Sequence, residues 1–431
     1  QHGYQGLAEQ RLLNGIAVLI KMLTLLGINK VLALYVGPSG YAALGQFQNA
    51  VQMITTFSSG AINTGVTKYT AQYHADEEKQ CRVWQASGTI ALVGSVLTAL
   101  VIVYFSHELA AFFLKDRALN GVFIWFAATL AFFTLNTLLL GILNGKKEIV
   151  LYVTANIAGS IFALLVTGVL TIYFGLYGAL VALAVYQSLS FFITLYLCTT
   201  RQWFKVKYLF GRVDKETALN LSKFTAMALT SAACMPVCQI LIRDYLGETI
   251  SWDAAGYWEA MWRLSAAYLM LMTTTLSVYY LPRLSELDGL SDIKKEILNG
   301  YKIIVPFTVI AALIIYLLKD FIIQVLFSSE FAPMRELFGW QVVGDIMKIC
   351  SWLFAYVMLG KAMFKLFMVT EIVFSFLLYV LTVALCNILG LEGTAIAYAL
   401  NYALYWIVVA IFVSRTLKIQ GKERVALKEV L

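Results

Sequence analysis

Apolar positions along the chain form blocks too long and too unbroken for the interior of a water-soluble domain. Twelve mostly apolar stretches recur, at roughly 12–36, 42–66, 83–105, 119–143, 150–173, 177–199, 218–242, 255–281, 302–318, 337–359, 363–386 and 393–414. About 20 apolar residues carry a helix across the hydrocarbon core of a bilayer, so the blocks predict twelve membrane-spanning helices. A barrel would show ten-residue segments of alternating polarity, which this chain lacks. The composition agrees: 60% of the 431 residues are hydrophobic, 13% are charged and the mean hydropathy is +0.77. No charged leader with a short apolar core and cleavage site precedes the first block, so no signal peptide is expected.

The polar residues inside these blocks are few and ordered. Asn49, Gln52, Thr56, Ser59 and Asn63 follow one another at three- and four-residue steps, which places them on one face of the second span. Such a stripe predicts either interhelical hydrogen bonding or a face turned to water or substrate, and its continuity favours the second. Six basic residues also fall in the spans or at their ends: Lys21, Lys30, Lys223, Arg243, Arg263 and Lys348. A charge at the centre of a membrane helix costs about 2.5–3.5 kcal/mol on insertion scales, so each predicts a partner, a watery cavity or a position from which it snorkels. Lys223 and Arg243 are assigned to snorkelling. Lys21 shares a face with Asn14, and Lys30 lies half a turn round the helix from Lys21.

Carboxylates accompany these cations. Glu259 and Arg263 are four apart, Asp345 and Lys348 three apart, and Gln341, Asp345, Lys348 and Trp352 share a face of the tenth span. Glu371, Ser375 and Thr382 share a face of the eleventh. Each acid–base pair could be an ion pair that locks helices. The number of cations, and the absence of any carboxylate in the first span to serve Lys21, favours a cavity for an anionic cargo. Lys and Arg would hold phosphate oxygens there, and desolvated carboxylates would exchange protons. Trp252, Tyr257, Trp258, Trp262, Trp340 and Trp352 crowd the same spans and are expected mainly to pack or to sit at the interface.

The remaining charges set a topology. Twenty-two Lys and Arg fall on the side shared by both termini, from Arg11 through the 200–216 loop to Lys428, against Lys115, Arg117, Lys319 and Arg335 on the other. Both termini are therefore expected in the cytoplasm, with the net charge of +7 a topology signal and not a nucleic-acid footprint. Five of the six cysteines lie within or at the ends of spans, so no disulfide framework is expected. Cys234 and Cys238 have no nearby His or carboxylate, and no metal or cofactor is expected.

The chain also repeats itself. One constant shift, half the length of the chain, aligns Gly145-Lys146 with Gly360-Lys361, Leu151 with Leu366, Ile157 with Ile372, Ser160 with Ser375 and Thr167 with Thr382. Without a gap, Gly175-Leu176 then meets Gly390-Leu391, Gly178 meets Gly393, Ala182 meets Ala397 and Ala184 meets Ala399. A duplicated six-helix unit is implied. Because six is even, both halves enter the membrane in the same direction, related by a pseudo-twofold axis along its normal. The expected fold is an all-α integral membrane protein with two six-helix lobes around a central cavity. The first lobe is 1–199, a basic cytoplasmic linker 200–216, the second lobe 217–414 and a basic cytoplasmic tail 415–431. Outer loops are too short for a catalytic domain, so no catalytic residue and no enzyme activity is expected.

GVTKYTAQYH at 65–74, SKFTAMAL at 222–229, SWDAAGYW at 251–258, SVYYLPRLS at 277–285 and MRELFGWQVVGDIMK at 334–348 resemble the Wzx-type flippases of the multidrug/oligosaccharidyl-lipid/polysaccharide exporter superfamily, over nearly the whole chain. The resemblance implies movement of an undecaprenyl-pyrophosphate-linked oligosaccharide from the cytoplasmic to the periplasmic leaflet of a bacterial inner membrane. Membrane lipids, a polysaccharide polymerase and chain-length proteins are the implied partners. Lys21, Lys30, Lys68, Arg243, Asp345, Lys348, Lys361 and Glu371 fall in stretches matching the family pattern, whereas Glu259 and Arg263 rest on their own chemistry. The substrate-binding set is therefore Lys21, Lys30, Gln52, Asn63, Lys68, Arg263, Lys348 and Lys361, and the coupling set Glu259, Asp345 and Glu371. A drug or cation antiporter of the same superfamily is the first rival and predicts a more acidic cavity. A polymerase or ligase would need a sizeable outer loop, and a scaffold would leave the stripe of the second span without purpose.

Overall fold

The structure is a computed structural model. It describes the backbone of residues 2–430 apart from 61, 288 and 362, and the side chains of 12–419 apart from those three and 223, 224, 226, 227, 278, 279, 282 and 285. The described residues are helical throughout, with short turns and no strand. Contacts divide the chain into two compact units, Gln1–Ile240 and Leu241–Leu431.

The first unit begins with α1 (His2–Ser59), which is two helices joined at Gly37, where φ is 71°. Pro38 follows and has no N–H to give, so the ladder breaks there. Tyr41 spans the break, its hydroxyl donating to the Asn29 carbonyl at 2.5 Å. Next come α2 (Ile62–Gln72), α3 (Glu77–Tyr104), the single turn α4 (Ser106–Leu109), α5 (Asn120–Gly145), α6 (Ile149–Thr199) and α7 (Lys215–Thr249), whose last turns lie beyond the division. Asp76 caps α3 by accepting from the Lys79 N–H at 3.1 Å, and that bond holds its carboxyl below the usual range. Asp214 does the same for α7, taking both the N–H and the hydroxyl of Thr217.

At one end of this unit Trp84, buried among Val66, Tyr69, Leu139 and Phe204, donates through its indole N–H to the Thr70 hydroxyl at 2.9 Å. Lys146 lies over the Trp84 and Trp203 rings. The 200–216 segment is docked here. Phe204 and Leu209 are buried in the same cluster, and a Cβ on Gly88 would come within 1.7 Å of the Leu209 carbonyl oxygen. Only glycine admits that backbone.

The second unit contains α8 (Trp252–Thr275), α9 (Leu281–Glu286), α10 (Leu290–Leu317), α11 (Lys319–Leu326), α12 (Phe338–Gly360), α13 (Phe364–Leu389) and α14 (Glu392–Val430). Among the described residues, eight helical stretches are long and apolar enough to cross a membrane, fewer than the twelve blocks expected. Two of the eight, Leu12–Ser59 and Ile149–Thr199, are double-length stretches carrying the breaks at Gly37 and Gly175. Neither α7 nor α8 is among them. On α8, Asp253, Glu259 and Arg263 dilute the apolar content, and α7 lies only in part within the described residues.

Local structure repeats where the sequence does. Gly175 has φ 60° and Gly390, its counterpart in the second repeat, φ 67°; each ends one helix and lets another start. A Cβ on Gly178 would lie 1.9 Å from the Leu170 carbonyl oxygen, and one on its counterpart Gly393 would lie 2.6 Å from that of Leu385, which is the counterpart of Leu170. The preceding turns match as well: Glu148 N–H bonds the Leu143 carbonyl as Met363 N–H bonds that of Met358.

Candidate functional site

The second unit gathers the charged residues of α8 and α12. Asp345 is wholly buried, and three hydroxyls converge on it: Ser265 at 2.9 Å, Tyr398 at 2.8 Å, and Tyr268. Gln341 donates to the Ser265 oxygen at 3.2 Å, which orients that hydroxyl. Gly344 makes this possible, because a Cβ there would lie 2.2 Å from the Tyr398 ring and 3.2 Å from the Ala399 backbone. The spacing predicts an ion pair with Lys348, yet among the described residues no carboxylate oxygen stands within 4.0 Å of the Lys348 Nζ. That ammonium lies instead among four rings, Trp352 at 5.1 Å, Tyr402 at 5.3 Å, Trp262 at 5.5 Å and Tyr398 at 5.8 Å. Each ring face attracts the cation, with a gain of about 0.5–2 kcal/mol.

Glu259 has a different part. Its two oxygens are taken separately, one by Arg243 Nε at 2.8 Å and the other by Arg263 Nε at 2.9 Å. Arg243 is only 1% exposed and also lies over Trp258, so the expectation that it snorkels is overturned. Arg243 and Glu259 lie on successive helices, too far apart in sequence for spacing to couple them, and only the packing of α7 on α8 reveals the pair. Arg263, expected to hold cargo, is thus engaged on the same carboxylate. Lys223 lies outside the described side chains.

The remaining selected residues of the second unit are dispersed. Lys361 donates to the Leu287 carbonyl and so ties the end of α12 to the turn after α9. Glu371 is half-buried on α13 with no hydrogen bond or ion pair among the described residues. A cleft of about 720 Å³ between α10 and α12, bordered by Tyr316, Lys319, Arg335 and Trp340, contains none of the selected residues.

The first unit holds a polar cleft of about 410 Å³. Gln52, Thr56, Ser59 and Asn63 line it, four of the five residues of the stripe. The fifth, Asn49, is buried and donates to the Gln239 side chain at 3.0 Å and the Pro236 carbonyl at 3.3 Å. Thr55 of α1, Thr64 of α2, Thr134 and Thr137 of α5 and Ser231 of α7 complete the polar lining, and sequence reading missed all five. Gly141 leaves room for Asn63, since a Cβ would lie 2.2 Å from the Asn63 oxygen. Lys21 is exposed on α1, Lys30 half-buried, and Lys68 exposed over the Tyr69 ring at 5.6 Å. None of these three lines the cleft.

A family profile described as polysaccharide biosynthesis protein matches residues 8–288. The lipid III flippase of Escherichia coli strain K12 is 32% identical over 400 residues, 93% of this chain and 96% of that protein. The chain belongs to this family. The lipid III flippase of Shigella flexneri matches to the same extent. Among solved structures, an inward-facing multidrug resistance MATE transporter of the MOP superfamily superposes with a TM-score of 0.77, at 15% identity over 93% of this chain and 95% of that one. A MOP superfamily transporter from Pyrococcus furiosus, described as having a binding pocket of reversed polarity, superposes at 0.62, at 14% identity over 93% of this chain and 95% of that one. At such identity these two structures speak for the fold alone. The relatives are transporters and not enzymes, and the chain is a multi-pass membrane protein.

Proposed function

We propose that the protein is a flippase that moves an undecaprenyl-pyrophosphate-linked oligosaccharide, the lipid III intermediate of enterobacterial common antigen, from the cytoplasmic to the periplasmic leaflet of the inner membrane. The observation that carries this reading is 32% identity to a lipid III flippase over nearly the full length of both chains. Twelve spans in two six-helix lobes around a central cavity, with both termini and the 200–216 linker cytoplasmic, complete it. Counting the halves of α1 and α6 separately and adding α7 and α8 brings the eight apolar stretches to twelve, which supports the arrangement. The matched breaks at Gly175 and Gly390 support the duplication.

Within this reading Lys348 and Lys21 hold the pyrophosphate, with Lys30, Lys68 and Lys361 as further basic contacts to the cargo. A caged ammonium suits that role: it is held by ring faces and is committed to no carboxylate, so an arriving phosphate need not break an ion pair. Asp345 and Glu371 couple transport to an ion gradient through alternating access. Glu259, with both oxygens already bonded, locks α7 to α8 through Arg243 and Arg263. Binding of a fluorescent polyprenyl-pyrophosphate sugar to the purified protein tests the reading. Saturable binding that a cationic drug does not displace is expected; displacement by the drug at comparable concentration would favour an antiporter.

A further inference from the structure

The cleft of the first unit has a hydrogen-bonding character unlike that of a phosphate site. Of its seven hydroxyls, four give their proton to a carbonyl of their own helix: Thr55 to Val51 at 2.7 Å, Thr56 to Gln52 at 2.8 Å, Ser59 to Thr56 at 3.4 Å and Thr137 to Phe133 at 3.1 Å. A fifth, Thr134, is engaged by the Ala131 carbonyl at 3.0 Å and by the Ser95 hydroxyl at 2.7 Å. A hydroxyl whose proton is spent within the protein faces outward as an acceptor. The carboxamides of Gln52 and Asn63 have no hydrogen-bond partner among the described residues, so they offer both N–H donors and a carbonyl oxygen. No charged side chain lines the cleft among the described residues.

Phosphate and carboxylate oxygens accept and do not donate, so the five acceptor hydroxyls cannot bond them, and the remaining donors, on Gln52, Asn63, Thr64 and Ser231, carry no charge to offset theirs. A bare ion is equally ill-suited, because about 410 Å³ has room for roughly a dozen waters at about 30 Å³ each. A ligand that fits donates many hydrogen bonds, carries no charge and has the bulk of one or two rings. Sugar hydroxyls and N-acetyl N–H groups meet all three conditions, and Phe133 offers a ring for a sugar face. We propose that this cleft is a subsite for neutral sugar residues of the cargo, separate from the groups that hold its pyrophosphate. The inference rests on the flippase reading and deepens it: one unit would read the uncharged glycan by hydroxyl and amide contacts, while recognition of the charged group lies with the lysines.

The test compares two probes on the purified protein, a fluorescent polyprenyl pyrophosphate carrying one neutral N-acetylhexosamine and the same lipid without sugar. Gln52→Ala and Asn63→Ala should each weaken binding of the sugar-bearing probe by roughly 3- to 10-fold, the effect of losing one or two hydrogen bonds, and change the sugarless probe less than about twofold. The double variant Thr56→Val, Thr137→Val removes two acceptor oxygens at nearly constant volume and frees no buried proton, so it should fold normally and show the same selective loss. Lys21→Ala should weaken both probes alike. Equal loss for both probes in the cleft variants, or no loss for either, would overturn the subsite while leaving the flippase reading standing. Failure of the wild-type protein to bind either probe would overturn both.

Discussion

Lys348 stands one helical turn from Asp345 on α12, and the two do not pair: Asp345 receives the hydroxyls of Ser265, Tyr268 and Tyr398, while Lys348 is held over four aromatic rings. Tyr398 serves both, giving its proton to the acid and its ring to the base. The carboxylate is thus bonded without consuming the cation. In Asp345→Ala three donors lose their acceptor, the buried Ser265 and Tyr398 at a cost of about 1–3 kcal/mol each, whereas Asn keeps one of the two acceptor oxygens. Thermal unfolding of the detergent-purified variants should therefore show a much larger loss for Ala than for Asn. Equal losses would mean that the hydroxyls find other partners.

Coupling gives the same residues a second test. Asp345→Asn and Glu371→Gln should leave cargo binding near the wild-type value and abolish transport driven by a pH gradient in proteoliposomes. Gradient-driven transport that persists in the double variant would remove both residues from the coupling step.

The triad of Arg243, Glu259 and Arg263 predicts asymmetric effects on stability. Glu259→Gln leaves two guanidinium groups without their carboxylate, one of them fully buried, and breaking a buried pair from one side costs about 3–5 kcal/mol. Replacing Arg243 and Glu259 together, by Met and Leu, removes the buried pair and should be milder than Glu259→Gln alone. Folded yield and melting temperature measure the difference, and a double variant as unstable as the single one would contradict it.

How far these features were legible beforehand depends on whether they are periodic. Helical spans follow from apolar runs, and the duplication from glycines whose left-handed or crowded positions recur in the same register of both halves, as at Gly175 and Gly390 or Gly178 and Gly393. The polar stripe of the second span was likewise visible, since four of its members line one cleft. The cage around Lys348 was not. It draws Trp262 from α8 and Tyr398 and Tyr402 from α14, and its sequence signal was only that Trp352 shares a face with Lys348 and that Tyr398 and Tyr402 lie four apart. Assigning Arg243 to snorkelling failed for the same reason, because its carboxylate arrives from the next helix. Spacing fixes which face a residue occupies; it does not say which helix packs there.

The cations separate cargo contacts from structural ones by magnitude. A Lys bonded to phosphate in a partly desolvated cavity contributes about 1.5–3 kcal/mol, so Lys21→Ala and Lys348→Ala should each weaken cargo binding by roughly one to two powers of ten. Lys30→Ala should be milder, and Arg replacements should retain more affinity than Ala. Wild-type affinity in both Lys21→Ala and Lys348→Ala would show that these charges do not recognise the cargo.

The flippase account is tested most directly by translocation itself. Purified protein is reconstituted in liposomes with a fluorescent polyprenyl-pyrophosphate oligosaccharide confined to one leaflet, and exposure of the label on the other side is followed with a membrane-impermeant quencher. The account predicts exposure well above that of protein-free liposomes, lost in Lys348→Ala and undiminished by excess cationic drug. Exposure no faster than in protein-free liposomes, from protein that is folded and correctly inserted, would contradict it.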